Sequence, residues 1–148
     1  MENQIDLDKL IDNLLTTRAT TVYTQLLDDA QFHYMDSLLS KHKYQVIWLD
    51  RHHPILTVDD IFKSCDIGFR IWWDCAGNWN TLQDFVRDGD YVPQSGCLVY
   101  LSNFSRLKRN DLASYNEFID VLRSASEYWE SQHVFFKSLI GLEEISSI

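Results

Sequence analysis

Apolar side chains recur along this chain in two rhythms. Over the first 42 residues, Leu7, Leu10, Ile11, Leu14 and Leu15 fall at helical spacing. The stretch Thr16-Thr17-Arg18-Ala19-Thr20-Thr21 interrupts them. A second helical pattern then runs through Tyr23, Leu26, Leu27, Ala30, Tyr34 and Leu38. It ends near Lys41 and Lys43, whose charge suits the negative end of a helix dipole. Short helices are marginal in water unless an apolar face is buried. This segment is therefore expected to dock, either on the rest of the chain or on another protein.

From residue 44 the rhythm changes. Tyr44-Gln45-Val46-Ile47-Trp48-Leu49 is an apolar run of strand length, and the turn Arg51-His52-His53-Pro54 follows it. Thr57 can cap a helix, with Asp60 completing a capping box. Residues 64–77 read as irregular. Asn78 then caps a helix that buries Trp79, Leu82, Phe85 and Val86 and ends at Gly89. Gly96-Cys97-Leu98-Val99-Tyr100-Leu101 is a second strand. Ser114 and Glu117 form a capping box for a helix through Phe118, Ile119, Leu122, Ala125 and Trp129, and Val134–Ile140 is a third strand. Apolar strands alternating with helices predict an α/β fold, a small three-stranded parallel sheet covered by helices. It occupies residues 43–148, with residues 1–42 as a helical extension.

Charge narrows the function. With 13 Lys and Arg against 22 Asp and Glu, the formal net charge is −9, which argues against binding phosphate backbones directly and suits a basic partner. The three cysteines, Cys65, Cys75 and Cys97, are widely spaced, so neither a disulfide framework nor a zinc site is expected. The N-terminus lacks the order of a secretory signal, and no apolar stretch approaches the roughly 18 residues that span a bilayer. The expectation is a soluble, cytoplasmic protein.

Catalytic constellations are missing: no G-x-S-x-G, H-E-x-x-H, phosphate loop or Walker lysine occurs. His52 and His53 are adjacent, so their side chains diverge, and they read as turn residues and not as metal ligands. Cys65 and Cys75 read as structural thiols. No catalytic residue, metal or cofactor is expected. One segment does break local rules. The helix beginning after Asn78 carries Asp84 near its end, with Asp88 and Asp90 beyond, all facing the negative end of the dipole with only Arg87 nearby. Such inconsistencies cluster at functional sites, although a solvated acidic face has the same signature. Upstream lie Trp72, Trp73 and Asp74, and tryptophan is favoured at interface hot spots.

The run Gly77-Asn78-Trp79-Asn80-Thr81-Leu82-Gln83-Asp84-Phe85-Val86 resembles the signature of the barstar family of ribonuclease inhibitors. Asn78, Trp79, Leu82 and Asp84 match it at the same spacing. The resemblance extends over about residues 45–141, including the strand at 97–101, Trp129 in the following helix and Phe135-Phe136 at the closing strand. Departures fall on positions that would face a partner. The first acid of the family's helix is Asn80 here, the expected glycine is Ala76, and Trp72 and Trp73 are displaced by one or two residues. The resemblance implies a bacterial immunity protein or antitoxin that plugs the basic cleft of a ribonuclease toxin. Asp84 would mimic phosphate, helped by Asn80, Gln83, Asp88, Asp74, Trp73 and Trp72. Asn78, Trp79 and Leu82 would hold the helix in place. The alternative is an interaction module on the same scaffold whose partner is not a nuclease and is held partly through residues 1–42.

Overall fold

The computed structural model describes residues 6–71 and 77–144. Four strands build a wholly parallel sheet in the order β1-β4-β3-β2. They are β1 (Thr21–Thr24), β2 (Gln45–Trp48), β3 (Cys97–Leu101) and β4 (Phe136–Gly141). Gln45 lies opposite Cys97, Cys97 opposite Phe136, and Ser138 opposite Thr21. Three strands thus lie where the apolar runs put them, and the fourth corrects the three-stranded expectation. The break ending at Thr21 and the helical pattern beginning at Tyr23 both give way here to the strand Thr21-Val22-Tyr23-Thr24. It extends beside β4, and Val22 and Tyr23 pack on opposite faces of the sheet.

The helices form two layers because the strands are apolar on both sides. Side chains alternate across a strand. Leu98, Tyr100 and Leu139 therefore meet α1 (Leu7–Thr16) and α2 (Asp29–Lys41), through Ile11, Leu14, Phe32, Met35 and Leu39. Cys97, Val99, Leu101, Phe136 and Ile140 face the other way. Their layer holds α3 (Val58–Gly68), α4 (Trp79–Phe85), α5 (Ser105–Asn110) and α6 (Leu112–Ser131). Gly141 ends β4 where a Cβ would come within 2.1 Å of the Ser102 carbonyl oxygen, so only glycine fits.

Several boundaries differ from the sequence reading. α3 continues through Gly68, into the stretch read as irregular, and α4 stops at Phe85, short of Gly89. The start of α6 is capped by Asp111, whose carboxylate accepts from the Ser114 N–H and hydroxyl, and not by Ser114 with Glu117. The short α5 had no expected counterpart.

The box at the start of α3 does form. Asp60 accepts from the Leu56 and Thr57 N–H groups and meets His53 Nε2 at 2.9 Å. Burial works to raise its pKa, but the hydrogen bonds from Leu56, His53 and Thr57 outweigh it and hold the carboxyl below its ordinary value of 3.8. A depressed folded pKa gives stability that is present above the unfolded value and lost as pH falls through the folded one. Asp60→Asn should therefore cost about 1 kcal/mol near neutral pH. The gap between variant and wild type should close as pH drops below 3.8. Thermal melts at a series of pH values check this, and a gap independent of pH would contradict it.

Candidate partner-binding site

α4 is built to be held by one face. Asn78 precedes it in extended conformation, and its Oδ1 accepts from the N–H groups of Asn80 at 2.9 Å and Thr81 at 3.3 Å. Leu82 and Val86 are fully buried. Trp79 is half-buried, its ring 4.9 Å from Phe62 of α3 and 6.4 Å from Phe118 of α6. The tryptophan thus pins α4 to its neighbouring helices.

A second set of contacts clamps the helix's far end to α6. Trp129 Nε1 donates to the Val86 carbonyl at 2.8 Å, in a buried position. Gln83 Nε2 donates to Ser124 Oγ at 3.2 Å, and the Arg87 guanidinium donates to the same hydroxyl while lying 6.0 Å from the Tyr128 ring centroid. These partners lie about forty residues away in sequence, and nothing local to the α4 motif announced them. Trp129→Phe keeps an aromatic ring, though a smaller one, and leaves the Val86 carbonyl without this donor. It should cost about 1–3 kcal/mol, seen as a lower urea midpoint. An unchanged midpoint would show that this clamp is not needed.

The opposite face of α4 is left to solvent. Asn80 and Asp84 are exposed, and α4 has no basic residue in its last turn. Arg87, the nearby cation in the sequence, does not supply compensation. Its contacts run to Ser124 and Tyr128, and no ion pair among the described residues involves Asp84, Asp88 or Asp90. Asp88 turns its carboxylate back to the Asp90 N–H at 2.8 Å. Asp84 thus projects as an uncompensated negative charge from a helix whose other face is locked down. Of the remaining candidates, Gln83 is half-buried and engaged with α6, while Trp72, Trp73 and Asp74 lie outside the described residues. Cys75 lies outside them too.

A family model described as Barstar (barnase inhibitor) matches residues 44–141, well over half of the 148. The chain belongs to the barstar family. Barstar-family proteins are inhibitors and not enzymes, and their protein partner is a ribonuclease. The match takes in β2, β3, β4 and α3 to α6, and begins after α1, β1 and α2. No curated protein and no solved structure matches the chain. Among the described residues no group of three or more His, Cys, Asp or Glu side chains is placed to hold a metal, and no helix is long and apolar enough to cross a membrane. Cys65 and Cys97 are buried, and burial pushes the Cys97 thiol well above its ordinary range, which leaves it inert as a nucleophile.

Proposed function

We propose that this barstar-family chain is a cytoplasmic immunity protein or antitoxin that inhibits a cognate ribonuclease by one-to-one occlusion of its active site. The observation that carries this reading is the outward, uncompensated carboxylate of Asp84 on a helix fixed by Asn78, Trp79 and Leu82. A ribonuclease cleft must present cations to hold phosphate. A carboxylate delivered on a rigid helix meets those cations without having to be ordered first. Asn80 lies on the same exposed helix as a neutral hydrogen-bonding group, and Asp88 adds charge at its end. The resemblance assigns Trp72, Trp73 and Asp74, which precede Asn78 in the sequence, to the same partner. The barnase–barstar complex is itself the reference case for such charge pairing, and the size of the effect is carried over from it.

The reading with a non-nuclease partner held through residues 1–42 draws less support. The apolar faces of α1 and α2 are already used on the sheet. The test is an RNA-cleavage assay with a basic, barnase-type ribonuclease titrated by the chain. Loss of cleavage should be linear and complete at one equivalent. Undiminished cleavage at excess chain, across such ribonucleases including one encoded beside this chain, would remove the proposal.

A further inference from the structure

One side of the sheet is open. β2 pairs with β3 alone, and the Gln45 and Leu49 N–H groups donate to the Gly96 and Tyr100 carbonyls. Backbone groups alternate sides along a strand, so the N–H and C=O of Val46 and Trp48 point away from β3. They have no hydrogen-bond partner among the described residues. Edge strands are usually blunted by lysine, proline or a bulge. Gln45-Val46-Ile47-Trp48 carries no charge and no proline.

A cleft of about 560 Å³ runs along this edge, between α2 and the end of α3. Its lining reverses the sign of the molecule. Arg51, Arg70, His33 and His52 face a single carboxylate, Asp36, in a chain of net charge −9. The Arg51 guanidinium lies 5.5 Å from the Trp48 ring centroid, which keeps it beside the open edge. Arg70 is exposed and holds a left-handed φ of 54°, where the backbone turns out of α3. Ile67, also in the lining, is 72% exposed. No residue of this cleft belongs to α4.

We propose that the free edge of β2 receives an extended, acidic segment of a second partner protein, which adds as a fifth strand. Its backbone would pair with Val46 and Trp48, and carboxylates on its two faces would meet Arg51 on the α2 side and Arg70 on the α3 side. A second copy of this chain is disfavoured as occupant. Two-fold pairing of β2 with itself would bring each basic cluster towards its own image, between two molecules each of charge −9.

The probe is a fluorescent peptide of about ten residues in which pairs of glutamates separated by valine put carboxylates on both faces of the strand, titrated by the full chain and read by anisotropy. Saturable binding is expected. It should be lost when lysine replaces glutamate, or when alternate peptide nitrogens are methylated. The double variant Arg51→Glu/Arg70→Glu changes only exposed side chains and should weaken binding at least about tenfold. Val46→Pro removes an outward N–H, a change tolerated at sheet edges, and should do the same. Three results would overturn the proposal: no saturable binding up to about 1 mM peptide, equal binding of the lysine peptide, or wild-type binding by the double arginine variant. A dimer in sedimentation that Val46→Pro dissolves would also overturn it, by assigning the edge to a second copy. Because α4 is untouched, ribonuclease inhibition stands or falls separately.

Discussion

Deleting residues 1–42 should abolish cooperative folding. The deletion removes β1, so that β4 becomes an edge strand, and it strips one whole face of the sheet. Leu98, Tyr100 and Leu139, each no more than 1% exposed, lose the cover of Ile11, Leu14, Phe32, Met35 and Leu39. Burying such a side chain fully stabilises by about 1.5–3 kcal/mol. Uncovering three of them, with Val46, Trp48 and Phe135 beside them, approaches the roughly 5–15 kcal/mol that a domain has in total. Ordering 42 residues costs entropy that partly offsets this gain, but the bare face would also be an apolar patch of the kind that drives aggregation. Circular dichroism melts of the truncated chain, with sedimentation, would show no cooperative transition or an aggregated species. A soluble fragment melting within a few degrees of the full chain would show that residues 1–42 are an appendage. Truncation is therefore a poor way to ask whether α1 and α2 touch a partner, and substitutions at exposed positions such as Tyr34 are the better tool.

The second large effect is expected at the opposite layer. Asp84→Ala should weaken ribonuclease binding by well over tenfold while leaving the melting temperature within about 1–2 °C of wild type. The two readouts separate because Asp84 is exposed and contributes nothing to the clamp made by Leu82, Val86 and Trp129. Most of the loss should fall on the dissociation rate, because one partner of a desolvated charge pair is left unmatched. The association rate should respond instead to the overall charge of −9, and fall as salt is raised. Surface plasmon resonance at two ionic strengths checks both. Wild-type affinity of the variant would remove Asp84 from the interface.

Much of this architecture was legible because the relevant signals are local. The runs Tyr44 to Leu49, Gly96 to Leu101 and Val134 to Ile140 read as strands, and the strands Gln45–Trp48, Cys97–Leu101 and Phe136–Gly141 form at them. Asn78 reads as a cap and acts as one. The failures have physical reasons. Thr21–Thr24 is four residues long, and its Tyr23 sits at helical spacing from Leu26 and Leu27, so strand and helix signals merged. The Asp28 and Gln31 pair, which forms the capping box of α2, was the available cue that the helix starts later. At α6 Ser114 has the look of a cap in the sequence, but its hydroxyl donates to the true cap, Asp111. At the site, the exposed acid was visible in the sequence. The role of Arg87 was not, because its partners Ser124 and Tyr128 are supplied by a distant helix.

The central claim is that Asp84 faces a cation inside a ribonuclease active site. A double-mutant cycle tests it most directly, with Asp84→Ala on this chain combined with alanine replacement of each arginine or lysine lining the nuclease cleft, and all affinities measured by calorimetry. At least one pair is expected to couple by more than about 1.5 kcal/mol. Strictly additive losses at every cleft position would contradict it.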